Sequence, residues 1–161
     1  MLAARDPVAG TCKDKADMCG IFQKSDLLDY MQSHRLAVVS SIGDTGAPQS
    51  ALVGIAVTPT HDVIFDTVSD SRKHRNLTGD RRASVLFAGP GEKTLQFDGT
   101  ARSLSLVDVA DEHLREIYYA VWPDGRERLR WPNIAYWCVS PTWARYSDYE
   151  AGPLVQIFHW A

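Results

Sequence analysis

Cysteine is scarce in this 161-residue chain: Cys12, Cys19 and Cys138 make three in all. An odd number with no C-x-x-C spacing argues against a disulfide framework or a zinc ribbon and fits a reducing, cytoplasmic setting. Long apolar runs are missing too. Nothing approaches the ~18 residues of a membrane span, and Met1 to Gly20 carries Asp6, Lys13, Asp14, Lys15 and Asp17 where a signal peptide has its apolar centre. There is no excess of positive charge: 17 Lys and Arg stand against 20 Asp and Glu, giving a net charge of −3 and a pI near 5.9. A nucleic-acid footprint wants a basic face and usually a basic domain. No G-x-S-x-G elbow occurs, so a hydrolase triad has no support. His34, His61, His74, His113 and His159 show no mutual i, i+4 spacing and no cysteine in ligand register, which argues against a metal centre.

What is present is the composition of one globular domain, 45% hydrophobic and 23% charged. Residues 1–22 read as a flexible arm and 23–161 as the domain. SDLLDYMQSHR, from Ser25, offers an N-cap, an acidic first turn and Leu27, Leu28 and Met31 on one face, hence a short amphipathic helix. Strands are expected over Leu36–Ile42, Gln49–Val57, Val63–Thr67, Ala83–Ala88 and Thr94–Leu104, separated by Gly- and Pro-bearing turns. Leu106, Ala110, Leu114, Ile117 and Val121 recur at helical spacing up to Trp122-Pro123. A polar connection, GRERLRWPN, leads to IAYWCVSPTWARYSDY, one or two strands interrupted by Pro141, and LVQIF is a candidate last strand. Six or more mostly sequential strands predict a mainly β fold with flanking helices, an antiparallel barrel whose closure removes exposed edges. QSALVGIAV is apolar on both faces, as suits a strand covered by the barrel and by a partner.

The stretch DTVSDSRKHRNLTGD runs against electrostatic preference. It places Arg72, Lys73 and Arg75 in the first turns of a helix opened by Ser71, at the positive end of the helix dipole, where cations are disfavoured by a few tenths of a kcal/mol each. Backbone N–H groups, the dipole and cationic side chains converging on one point suit a phosphate, and Thr67, Ser69 and Ser71 add hydroxyls. A solvated charged face is the competing reading of the same residues.

The order GAPQSALVG, VIFDTVSDSRKHRNL, LQFDGTARSL, VSPTWARYSDY resembles the pyridoxamine 5′-phosphate oxidase-like, FMN-binding split-barrel family, especially its short general-stress-protein-like members. The resemblance covers about Ser25 to Asp148, and its most specific element is the S-R-K-x-x-x-L turn, Ser71 to Leu77, preceded by Asp66-Thr67. It implies an antiparallel split β-barrel with FMN as cofactor, whose phosphate Arg72 and Lys73 hold. It further implies that the backbone of Ser50, Ala51, Leu52 and Val53 runs along the flavin ring, with Asp66 and Thr67 at the end of the third strand. A strand-five glutamine that reaches the flavin aligns with Thr94, with Gln96 two residues on and on the same face, and Tyr146 falls where the family places an aromatic near the partner subunit's flavin.

A homodimer with the flavin site at its interface is implied, as is a small-molecule reductant or substrate. The family's true oxidases carry an Arg-Leu-His triplet near the C-terminus and an arginine opening the flavin strand, where this chain has a small residue near Ala51; EAGPLVQIFHWA has no such triplet. The resemblance therefore points to an FMN-dependent oxidoreductase other than a pyridoxamine 5′-phosphate oxidase. Its alternatives are a non-catalytic flavin-binding or storage stress protein and a haem- or deazaflavin-binding variant, in which His159 is the candidate iron ligand. No catalytic side chain is expected, since flavin chemistry asks the protein for orientation and a tuned field. Of Trp131, Trp137 and Trp143, most are expected to pack in the core or at an interface.

Overall fold

The computed structural model describes residues 23–150 and 153–160; the expected N-terminal arm, with Cys12 and Cys19, lies outside the described residues. Helix α1 (Lys24–Gln32) opens the fold, with Gln23 rather than Ser25 as its N-cap, because the Asp26 carboxylate accepts the Gln23 N–H at 2.6 Å in a capping box. It ends before the expected His34 and Arg35; His34 Nδ1 instead reaches back to the Tyr30 carbonyl at 2.7 Å. Nine residues are too few to hold a helix in water. What holds this one is burial of Leu27 and Met31, 0% and 1% exposed, each stabilising by about 1.5–3 kcal/mol.

Seven strands follow in one antiparallel sheet: β1 (Leu36–Ile42), β2 (Pro48–Val57), β3 (Val63–Val68), β4 (Arg82–Ala88), β5 (Lys93–Leu104), β6 (Ile134–Asp148) and β7 (Leu154–His159). Their order is β3-β2-β1-β4-β5-β6-β7, and a further β3–β6 pairing closes six of them into a barrel with β7 alongside. Helix α2 (Arg72–Gly79) connects β3 to β4, while α3 (Val109–Val121) and the short α4 (Gly125–Arg128) lie between β5 and β6.

Strand alternation divides the apolar residues between two cores. Val63 and Phe65 point into the barrel with Val39, Val85, Phe87 and Phe97, while Ile64 points outward to join Ala56, Tyr136, Cys138, Leu114 and Tyr118 beneath α3. The second apolar face of β2 is thus covered by α3 at Ala56, whereas Leu52 stays 65% exposed.

The segment expected to break at Pro141 is one strand of fifteen residues. It pairs with β5 along its length, and its other edge passes from β3, last met at Val139, to β7, first met at Trp143. Pro141 falls in the stretch between those two partners, and a bulge opposite Asp98/Gly99 absorbs the irregularity. Gly99 is obligatory there: a Cβ would lie 2.3 Å from the Ser140 carbonyl oxygen. Gly99→Ala is expected to push β5 and β6 apart and cost about 1–3 kcal/mol of stability in urea unfolding, the range of an overpacked site; an unchanged midpoint would show that the bulge relaxes freely.

Candidate functional site

Strand β3 ends at Val68 and the chain turns directly into α2. Ser71 caps the helix as its side-chain oxygen accepts the His74 N–H at 3.1 Å, and Thr67 Oγ1 lies 3.0 Å from Ser71 Oγ. Backbone bonds anchor the turn: Ser71 N–H donates to Val68, and Ser69 N–H to the Asn133 carbonyl at 2.7 Å. The N–H groups of Arg72 and Lys73, at the start of the helix, have no intrahelical acceptor.

Arg72 and Lys73 wall a cleft of about 300 Å³ with Ser71, Ala51, Ser50 and Gln49. A wider cleft, about 800 Å³, continues past Gln49 and Arg72 toward Arg75 and Asn76. The three cations of the turn are not equivalent. Arg75 donates to the Asp70 carbonyl at 2.5 Å, whereas neither Arg72 nor Lys73 forms an ion pair among the described residues. The Lys73 ammonium sits 5.2 Å from the centre of the Phe65 ring. Burial holds its pKa below the ordinary lysine value, with the Asp66 carboxylate pulling the other way. Two cations without an ion pair among the described residues, helix-start N–H groups and adjacent hydroxyls form a donor set that fits a phosphate group.

The remaining expected site residues are distributed around this turn. On β2, Ala51 and Val53 are half-buried, while Ser50 and Leu52 face outward and Ser50 Oγ pairs with Ser40 Oγ at 2.8 Å. Asp66 turns away from the cationic pair to bind Arg128, Oδ2 to Nε at 2.6 Å. Thr94 and Gln96 are exposed on one face of β5, as alternation requires, and neither lines the cleft of Arg72 and Lys73. Gln96 pairs with Leu86 on one side and Arg145 on the other. Tyr146 points inward, 5% exposed and edge-on to Tyr30 at 5.3 Å, so Arg145 is the outward residue of that pair. His74 is tied to Trp137, whose Nε1 approaches its Nδ1 at 3.3 Å.

Two residues that sequence reasoning missed complete the cleft. Gln49 Oε1 accepts from Asn76 Nδ2 at 2.9 Å, and the same amide donates to Ser41 Oγ at 3.0 Å, which ties α2 to β1 and β2. Their separations along the chain leave no local signal. Among the described residues, no His, Cys, Asp or Glu group could hold a metal ion and no helix is long and apolar enough to cross a membrane.

The sequence matches the family model described as pyridoxamine 5′-phosphate oxidase over residues 24–148. No curated protein sequence matches the chain. Solved structures share the split-barrel fold. One is a pyridoxamine 5′-phosphate oxidase-related, FMN-binding protein from Nostoc punctiforme, at TM-score 0.66 and 13% identity, covering 88% of this chain and 92% of that one. Another, from Clostridium acetobutylicum, is related to general stress protein 26 of B. subtilis, at TM-score 0.58 and 18% identity over 81% and 89%. A third is a haem-binding protein from Mycobacterium smegmatis, at TM-score 0.70 and 12% identity; 81% of this chain is covered, but it spans only 55% of that protein.

Lys73 carries a desolvation penalty in the unliganded protein. Its folded pKa lies below the unfolded one, so the penalty is in force at neutral pH and fades only as pH rises through the folded value toward the ~10.4 of free lysine. Lys73→Met should therefore raise the stability of the ligand-free protein at pH 7 by about 0.3–1 kcal/mol, the helix-dipole scale, with the gain shrinking near pH 10 in urea titrations. A loss of stability at pH 7 would mean that the Phe65 ring and the Asp66 carboxylate outweigh that penalty.

Proposed function

Because the chain belongs to the pyridoxamine 5′-phosphate oxidase family, matched over residues 24–148, we propose that it is an FMN-dependent oxidoreductase acting on a small molecule other than pyridoxamine 5′-phosphate. The observation that carries this reading is the pair Arg72 and Lys73, held at the positive end of α2 without an ion pair among the described residues. These two side chains and the N–H groups behind them would hold the phosphate. Ser71 keeps the turn in shape, and the backbone of Ser50 to Val53 supports the ring. A flavin bound there supplies hydride or electron transfer at its ring. The chain's own task is to fix its orientation and neutralise its phosphate.

The protein is proposed to work as a homodimer in the cytoplasm. The outward faces of β2, β1 and β4 bring Leu52, Val38 and Leu86 into one cross-strand row, with Leu52 65% and Leu86 39% exposed, and that row is the proposed contact between copies. Sedimentation shows whether the FMN-loaded protein is dimeric; a monomer removes this part of the reading. The low cysteine count supports the compartment. A non-catalytic flavin-binding protein is the second reading, favoured by a cleft whose titratable lining among the described residues is the cationic pair Arg72 and Lys73 alone. Anaerobic mixing with NADH or NADPH separates the two: bleaching of the flavin band at turnover rates supports the enzyme, an inert yellow protein the carrier.

Replacing both Arg72 and Lys73 with Ala removes two charge-assisted contacts of roughly 1.5–3 kcal/mol each. FMN affinity, read by flavin fluorescence quenching, is expected to fall by a factor of hundreds or more, while riboflavin, which lacks the phosphate, binds wild type and variant alike. Equal FMN affinity in the double variant would return the cluster to a solvated face and remove the cofactor assignment.

A further inference from the structure

A third cleft, about 470 Å³, opens where β1, β4 and β5 run side by side, and it shares only Ser41 with the cleft of Arg72 and Lys73. Strand alternation puts Ser40, Ser84 and Asp98 on the outer face of the barrel in one cross-strand row, Ser40 opposite Ser84 and Ser84 opposite Asp98. Thr100 follows Asp98 two residues on, with the same parity. The bulge at Asp98/Gly99 falls at this row, and bulges re-aim the side chains beside them. Thr142 steadies it, since its hydroxyl donates to the Asp98 carbonyl at 3.1 Å. Ile42, Pro48 and Ala83 supply an apolar wall.

The charge of this lining is unbalanced. Asp98 forms no ion pair among the described residues, while Arg82, the cation of the same lining, pairs with Asp80 at 2.6 Å. A carboxylate beside an apolar wall favours a cation that carries hydrocarbon. A metal ion is poorly served, because no group of three His, Cys, Asp or Glu gathers among the described residues. A primary ammonium is well served: it has three donors, and one carboxylate with two hydroxyls offers three acceptors. The volume lies within the ~300–1,000 Å³ range of ligand sites.

We propose that this cleft binds a small aliphatic primary amine in its ammonium form, with Asp98 as counter-ion, the hydroxyls of Ser84 and Thr100 as further acceptors, and the alkyl chain against Ile42, Pro48 and Ala83. Such binding does not depend on whether the turn of Arg72 and Lys73 takes FMN. The cleft lies two residues along β1 and β4 from Val38 and Leu86, the row proposed as the contact between copies.

The test uses the full chain and three probes of one chain length, hexylamine, 1-hexanol and hexanoate, at neutral pH, where the amine is protonated, with affinities read by ligand-observed NMR titration. Hexylamine is expected to bind saturably and at least about tenfold more tightly than 1-hexanol, the scale of one charge-assisted contact, with hexanoate weakest. Asp98→Asn, an isosteric change at an exposed position, should bring hexylamine down to the affinity of 1-hexanol and leave 1-hexanol unchanged. Ser84→Leu, which fills the cleft, should abolish binding of both. Asp29→Asn, an exposed acid on α1 outside this lining, should change neither. Equal affinity for amine and alcohol, an amine affinity that survives Asp98→Asn or Ser84→Leu, or an equal loss in Asp29→Asn would each overturn the proposal. So would the absence of saturable binding, which is also what a partner copy closing the cleft would give.

Discussion

The pairing of β3 with β6, from Val63 opposite Val139 to Val68 opposite Ile134, holds the rest of the molecule in place. Without it β3 would be an edge strand with unpaired N–H and C=O groups, and the sheet would stay open. With it, the last residue of β3 is locked against the first residue of β6, and the Ser69 N–H reaches one residue further to the Asn133 carbonyl. The turn that carries Ser71, Arg72 and Lys73 is therefore fixed by a contact that spans more than sixty residues of chain. The length of β6 makes this possible, because its outer edge serves β3 with one half and β7 with the other. The bulge at Gly99 lets the two halves take different partners without breaking the ladder to β5.

Closure also sets up an electrostatic contrast across β3. On the side of α2, two cations sit at the positive end of a helix without an ion pair among the described residues, an arrangement that costs free energy until an anion arrives. On the side of α3 and α4, Arg128 donates to Asp66, Asp124 and the Tyr118 hydroxyl. Burial and the Asp66 carboxylate push the Tyr118 hydroxyl's pKa up, so it stays neutral there. On one side the cations lack an ion pair among the described residues; on the other the guanidinium is paired with two carboxylates. Alternation along β3 produces the contrast: Asp66 and Ile64 face the helices while Phe65 faces the barrel beneath Lys73.

The features legible in the sequence were those with local causes. The Ser71 cap, the strand-to-helix junction and the parity of Thr94 with Gln96 all follow from neighbours a few residues away, and the structure has them. Strands β1 to β5 lie within a residue or two of where turn residues and β-branched runs put them. Long-range pairings were not legible. Nothing near Asp66 announces Arg128, and α4 is too short for its periodicity to be read, so GRERLRWPN looked like a plain connection. Pro141 looked like a strand break because a ladder position normally needs its N–H; the exchange of partners along β6 becomes visible only once the barrel is closed. Tyr146 illustrates the same limit, since the parity of Arg145 and Tyr146 is readable but which of them faces inward depends on the fold.

The central claim is that Arg72 and Lys73 exist to hold a phosphate dianion. Phosphorus NMR of FMN bound to the full chain tests it directly, because the free phosphate monoester takes up its second proton near pH 6, and two adjacent cations favour the doubly charged form. The account predicts that the bound resonance keeps its dianion position as pH falls from 8 to 5 while free FMN shifts through its midpoint. A bound resonance that titrates as free FMN does would place the phosphate in solvent, away from the turn, and contradict the account.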